Sequence, residues 1–126
     1  MKYTHLKANL LILTLCIMVS GCGKNQPKLT HFAAINERFQ TVYESDDKNQ
    51  LKTISQLFYD RYEANDVAAE FQYLLDVSTK DGTERWRCSA DGYCQRRTIG
   101  TEILVKIYRL ERYRELYELV NLTAGR

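Results

Sequence analysis

Residues 72–96 read QYLLDVSTKDGTERWRCSADGYCQR, and this stretch decides the fold. Two Asp-Gly pairs, at 81–82 and 91–92, divide it into three short segments. Asp-Gly flanked by alternating apolar residues is the strongest short-range signal for a β-hairpin. Residues 67–79 suit either a helix or a strand by periodicity alone. The turn that follows them favours a strand from about residue 72.

The first turn predicts a register between the first two strands. If Asp81 and Gly82 form a two-residue turn, apolar residues face each other on one side of the hairpin and opposite charges on the other. The predicted cross-strand pairs are Val77–Trp86, Leu75–Cys88 and Asp76–Arg87.

The second turn predicts a disulfide. A three-residue loop, Ala90–Gly92, with Gly92 in the left-handed region places Cys88 directly opposite Cys94, within disulfide reach. A two-residue turn would instead point Cys94 to the other face. The same register sets Trp86 beside Arg96 as a cation–π pair. A zinc site would need two more ligands, so no metal site is predicted.

The segments before this hairpin predict helices. Apolar residues recur at steps of three and four after Thr30 and again after Asp47, which is typical of one helix face. The first set is Phe32, Ile35, Phe39 and Val42, and the second is Leu51, Ile54, Leu57, Phe58 and Tyr62.

The C-terminal run changes its period. Residues 103–108 alternate as a strand does, and residues 110–120 separate apolar from charged side chains on a helical wheel. The sequence therefore predicts an α+β fold: two N-terminal helices, a four-stranded antiparallel meander with a disulfide-stapled hairpin, and a C-terminal amphipathic helix. Residues 31–126 form one small domain in this prediction.

Composition excludes several classes of protein. The chain has 126 residues, with 18 Lys and Arg against 16 Asp and Glu, and only 6 Gly and 1 Pro. One domain is the expectation at this length. Disordered, collagen-like and strongly basic nucleic-acid-binding chains have different compositions, and no nucleic-acid partner is predicted.

The N-terminus has the pattern of a secretory signal. Lys2 and Lys7 precede a ten-residue apolar run, residues 10–19, which is too short to span a bilayer comfortably. The sequence Val19-Ser20-Gly21-Cys22 then resembles the lipobox of bacterial lipoproteins. That resemblance implies that residues 1–21 are removed as a signal peptide and that Cys22 is acylated with palmitate and related lipids. Residues 22–30 follow as the anchor and a polar tether.

The lipoprotein resemblance also implies a location. Gly23, where an Asp commonly signals retention in the inner membrane, predicts an outer-membrane lipoprotein with its domain facing the periplasm. Stable anchoring needs more than one acyl chain, and the resemblance implies two or three on Cys22. Apart from this covalent lipid no cofactor is expected, and the membrane is the first predicted partner.

The hairpin supplies the candidate binding surface. Arginine and aromatic side chains, which are enriched at interface hot spots, crowd around it. These residues are Arg85, Trp86, Arg87, Tyr93, Arg96 and Arg97. In the competing interpretation Trp86 belongs to the core, Arg87 pairs with Asp76, and the other side chains are solvated.

Catalysis is poorly supported by the sequence, and no catalytic residue is predicted. Serine or cysteine nucleophiles usually need a nearby histidine, and His31 is the single histidine after the signal segment. The expectation is a non-enzymatic envelope protein with a protein partner, serving as an accessory, assembly or exclusion factor of a secretion or conjugation system. The alternatives are a periplasmic immunity protein that neutralises a toxin, a lipid- or glycan-binding module, and a small hydrolase built on His31.

Overall fold

A computed structural model describes residues 26–65, 67–98 and 105–122, which form a seven-stranded antiparallel sheet with two helices packed on one face. The strands are β1 (His31–Ile35), β2 (Thr41–Ser45), β3 (Arg61–Glu63), β4 (Phe71–Thr79), β5 (Gly82–Ser89), β6 (Tyr93–Arg96) and β7 (Ile107–Leu110). The helices are α1 (Lys48–Tyr59) and α2 (Tyr113–Leu119). The strand order across the sheet is β2-β1-β4-β5-β6-β7-β3.

The core lies between the sheet and the two helices. Strand side chains alternate between the two faces of the sheet, so one set of every-second residues points toward the helices. This inner set includes Phe32, Ala34, Tyr73, Leu75, Val77, Trp86, Cys88, Cys94 and Leu110. The helices contribute Leu51, Ile54, Leu57, Phe58, Leu116 and Tyr117. The opposite face of the sheet has no described helix over it.

The predicted fold class is wrong at the N-terminus, because the first predicted helix is the β1–β2 hairpin. Asn36 closes its turn: its Oδ1 accepts hydrogen bonds from the backbone N–H groups of Arg38 (2.9 Å) and Gln40 (3.0 Å). A side chain that bonds nearby backbone groups in this way competes with helix formation. The spacing of Phe32 and Ile35 therefore reflects two faces of a strand, and Phe39 lies outside the core.

The predicted sheet is also too small. The meander β4-β5-β6-β7 supplies four adjacent strands, but β1, β2 and β3 extend the sheet to seven. The helix predicted after Asp47 is present as α1, and the Asp47 side chain caps it by accepting from the N–H of Gln50 (3.0 Å). That helix ends at Tyr59, so Tyr62 belongs to β3 instead of to its apolar face.

The predicted register of the β4–β5 hairpin is wrong by two residues. The turn is at Lys80 and Asp81, and the positive φ of 127° falls on Gly82, which already belongs to β5. Each residue of β4 faces a residue of β5 two positions before the predicted partner. A shift of two keeps every side chain on its predicted face. The observed pairs are Val77–Glu84, Leu75–Trp86, Tyr73–Cys88 and Asp76–Arg85.

The β5–β6 hairpin confirms the predicted loop and disulfide. Gly92 has φ 91°, Cys88 lies opposite Cys94 with their Cα atoms 4.1 Å apart, and the two are disulfide-bonded. The register also sets Trp86 opposite Arg96, as predicted.

The C-terminal helix is shorter than predicted. Strand β7 continues to Leu110, and α2 runs only from Tyr113 to Leu119. The helix ends in a Schellman arrangement: the N–H of Leu122 bonds to the carbonyl of Tyr117 (2.8 Å), with Asn121 in the left-handed region at φ 65°. Predicted strand residues 103–104 lie outside the described residues.

The predicted signal peptide (1–21) and the lipidated Cys22 lie outside the described residues. The last part of the predicted tether belongs to the folded domain, because Leu29 is buried and the N–H of Thr30 bonds to the carbonyl of Ser78 (2.8 Å). Within the described ranges, no helix is long and apolar enough to cross a membrane.

Candidate functional site

The uncovered face of the sheet carries a row of arginines interleaved with aromatic rings. We call it the arginine face and define it by Arg85 and Arg87 on β5, Arg109 on β7, and Phe71, Tyr93 and Tyr62. Cross-strand pairing places these side chains on one side: Arg87 pairs with Gln95, Tyr93 pairs with Arg109, and Arg109 pairs with Tyr62. Among the described residues, both helices pack on the other side of the sheet.

Arg85 is already neutralised within the chain. Its Nε and Nη2 donate to the two carboxylate oxygens of Asp76, each at 2.7 Å, and the fork-to-fork geometry is the strong form of this ion pair. The side chain of Arg85 is 43% exposed and that of Asp76 20%, so solvent screens the pair. The prediction that Asp76 pairs with Arg87 is therefore wrong, because the register moves Arg85 into that position.

Arg87 and Arg109 hold their positive charges on aromatic rings. The guanidinium carbon of Arg87 lies 4.6 Å from the ring centroid of Phe71, and its nitrogens donate to the side-chain oxygen of Gln95. The guanidinium carbon of Arg109 lies 5.1 Å from the ring of Tyr93. Among the described residues, neither arginine forms an ion pair with a carboxylate. Each charge is thus fixed in place and available to an acidic group.

A groove of about 330 Å³ adjoins the arginine face where β7 ends and α2 begins. It is lined by Tyr62, Arg109, Leu110, Glu111, Arg112, Tyr113, Arg114 and Glu115. Arg112 is paired with Glu115 at 2.9 Å, whereas Arg109 bonds to the carbonyl of Asp91 (3.3 Å). A hydrogen bond with the side chain of Tyr62 raises the pKa of Arg109. The groove therefore provides a concave region beside the cationic arginine face.

The structure divides the predicted binding residues between the two faces. Arg85, Arg87 and Tyr93 lie on the arginine face, whereas Trp86 is buried in the core with 4% of its surface exposed. Arg96 shares the inner face with Trp86, and Arg97 is exposed at the end of β6. Alternation along the strands explains this division, since neighbours in sequence point in opposite directions.

A second group of aromatic rings surrounds a single arginine, Arg61, on the face of the sheet that carries Trp86. The guanidinium carbon of Arg61 lies 4.6 Å from the ring centroid of Trp86, and three more rings surround it at 4.6–4.9 Å: Phe58, Tyr59 and Tyr108. Burial lowers the pKa of Arg61. The predicted position of Trp86 opposite Arg96 is confirmed by the register, but the approach of Arg61 was missed because β3 was not foreseen.

Phe39 at the tip of the β1–β2 hairpin is the most exposed large apolar side chain described, at 81%. Its φ is 60°, in the left-handed region that a bulky residue rarely adopts. The bonds to Asn36 hold the turn, and strain of this kind persists where surrounding structure enforces it. The sequence prediction placed Phe39 on a buried helix face. The Asn36–Gln40 turn was the signal that could have shown it as an exposed tip.

His31 lies at the start of β1. Its Nε2 is 2.9 Å from Oε2 of Glu44, and Ser78 lies opposite it in the register. The hydroxyl of Ser78 is bonded to that of Thr83 at 2.7 Å. None of these side chains lines the groove between the end of β7 and α2.

Comparisons with protein-family models, curated proteins and solved structures find no match to this chain.

Proposed function

We propose that this chain is a lipid-anchored, non-enzymatic envelope protein that binds an acidic protein partner through the arginine face. In this proposal Cys22 carries the lipid at the outer membrane and the domain faces the periplasm. The protein acts there as an accessory, assembly or exclusion factor of a secretion or conjugation system. The lipobox-like sequence supports the anchor, and analogy with other small, single-domain lipoproteins supports the choice of system.

One observation carries the binding proposal: the guanidinium groups of Arg87 and Arg109 lie over aromatic rings, at 4.6 Å and 5.1 Å from the ring centroids, with no carboxylate partner among the described residues. Planar guanidinium groups match carboxylates in a bidentate geometry. Their fixed positions reduce the conformational entropy lost when a partner binds. Arginine and tyrosine are also among the residues that dominate binding energy at interfaces. These properties favour an acidic protein face over an uncharged ligand.

The test is crosslinked affinity purification of the tagged, lipidated protein from its own envelope. The diagnostic variant is Arg87→Gln with Arg109→Gln, which removes both charges from the arginine face. The matched control is Lys80→Gln with Lys106→Gln, which removes two exposed positive charges elsewhere on the surface. Cys22→Ser tests whether the membrane anchor is needed.

We expect one abundant protein partner with the wild type and the Lys80/Lys106 control. Recovery falls at least about tenfold with the arginine-face variant, since each lost hot-spot residue weakens binding by roughly tenfold or more. Equal recovery with both double variants contradicts the assigned surface. A toxin as the partner changes the function to immunity. Co-purifying lipid or glycan without protein changes it to a ligand-binding module.

A further inference from the structure

A second groove lies at the end of the domain where the chain enters from the proposed anchor. It has a volume of about 510 Å³ and lies between the entering segment and α1. It is lined by Gln26, Pro27, Lys28, Leu29, Lys48, Asn49, Leu51, Lys52, Ser55 and Gln56. We call it the basic groove.

The entering segment is fixed to the domain along one side of this groove. Leu29 is 5% exposed and packs in the core, and the hydroxyl of Ser55 donates to the carbonyl of Pro27 at 3.3 Å. The two sides of the groove are therefore joined by the hydrogen bond at Pro27 and by the burial of Leu29.

The charge of the basic groove has one sign. Its lining includes three lysines, Lys28, Lys48 and Lys52, and no aspartate or glutamate. Lys48 and Lys52 are four residues apart on α1 and so lie on the same helix face. Within the described ranges, none of the three forms an ion pair. Asp47 lies next to Lys48 in sequence; its carboxylate caps α1 and is not among the residues that line the groove.

The length of chain between the groove and the anchor is short. Four residue steps separate Cys22 from Gln26, and an extended chain covers about 14 Å over that distance at most. This step rests on the proposed lipidation of Cys22. If Cys22 carries the lipid, the basic groove is held within reach of the headgroup layer, where the field of anionic lipids attracts lysines.

We propose that the basic groove binds the phosphate-bearing headgroups of anionic phospholipids and so holds this end of the domain against the membrane. The three lysines supply the charge, and the exposed Pro27 lies beside them at the chain's entry to the domain.

The test is lysine footprinting of the full lipidated protein reconstituted into vesicles. Two compositions are compared, phosphatidylcholine alone and phosphatidylcholine mixed with phosphatidylglycerol. The rate of lysine acylation by an N-hydroxysuccinimide ester is followed by mass spectrometry. We expect Lys28, Lys48 and Lys52 to react at least about threefold more slowly in the anionic vesicles, and the difference to fade with added salt. Lys106, which is paired with Glu63 at 3.1 Å, serves as the internal control.

Two variants sharpen the test. Lys52→Glu should reduce the protection of Lys28 and Lys48, whereas Lys106→Glu, with the same charge change, should leave it intact. Equal acylation rates in both vesicle types, or protection that ignores salt, overturn the headgroup site. The same mass spectra report whether Cys22 is acylated. A chain without lipid on Cys22 contradicts the proposed anchor, whereas an acylated chain with unprotected lysines contradicts only the groove.

Discussion

Tyr117 shows how one buried hydroxyl contributes to stability. The side chain is 2% exposed, and its hydroxyl donates to the carbonyl of Ser89 at 2.6 Å, which joins α2 to the end of β5. Replacing Tyr117 with Phe leaves that buried carbonyl without this donor. We expect a loss of about 1–2 kcal/mol in the free energy of unfolding, measured by urea denaturation at neutral pH.

The same residue predicts an alkaline pH dependence. Burial raises the pKa of Tyr117 well above its ordinary value, because the charged form is poorly solvated in the core. A tyrosine whose pKa rises on folding contributes stability that is complete below about pH 10 and is lost as the pH rises above it. Unfolding free energies between about pH 8 and pH 11 should therefore fall less steeply for Tyr117→Phe than for the wild type. If the unfolding free energies of the two proteins fall equally steeply with pH, the pH dependence does not come from Tyr117.

Phe39 predicts a conflict between stability and function. Its left-handed backbone is strained, and its ring is exposed, so the folded domain gains little from it. Asn tolerates this conformation, and Phe39→Asn should raise the free energy of unfolding by about 1 kcal/mol. The comparison is Arg38→Asn in the same turn, where φ is not positive and no such gain is expected. A stabilised Phe39→Asn protein that loses its partner would identify the ring as a contact kept for binding.

Substitution of Gly92 tests how much the β5–β6 loop contributes to the stability of the domain. Its φ is 91°, and a Cβ placed there would lie 2.6 Å from the ring of Tyr113. Gly92→Ala therefore combines backbone strain with overpacking, and we expect a loss of about 2–4 kcal/mol in unfolding free energy. Gly82→Ala is the matched control, since its φ is 127° but no atom lies within 4 Å of the added carbon. If both variants lose the same stability, the contact with Tyr113 contributes nothing.

The hairpins show why some elements could be predicted from the sequence and others not. The β5–β6 loop carries two local constraints, a glycine with positive φ and a pair of cysteines, and both point to one register. The β1–β2 turn is closed by the side chain of Asn36 instead, and the apolar spacing around it also fits a helix. The apolar spacing alone could not distinguish a hairpin from a helix there. The hydrogen bonds that close the hairpin are made by the side chain of Asn36, and the spacing does not report them.

The candidate site was only partly predictable for a related reason. Arg85, Arg87 and Tyr93 were identified because they lie on the predicted hairpin, and Trp86 was included because it is their neighbour in sequence. Arg109 was missed, since its position depends on β7 continuing to Leu110 beside β6. The meander itself was predicted, but the predicted strand ended at residue 108, so Arg109 was assigned to the start of the helix instead of to the sheet.

At the scale of the whole molecule, the basic groove and the Phe39 turn mark two different ends of the domain. The chain enters at Leu29 beside the basic groove, runs out along β1, and turns at Phe39. Five strand residues cover about 16 Å, and the turn adds to that distance. If the basic groove lies on the membrane, Phe39 projects away from it, into the compartment where a protein partner would be met.

This polarity predicts different crosslinks from the two ends. A photoreactive phenylalanine analogue at position 39, in the native envelope, should give a protein adduct, because the exposed ring stands at the far tip. The same analogue at position 52 should give lipid adducts, since Lys52 lines the basic groove. Mass spectrometry of the adducts distinguishes the two cases. Lipid adducts at both positions would mean that the domain lies flat along the bilayer, and protein adducts at position 52 alone would reverse the orientation of the molecule.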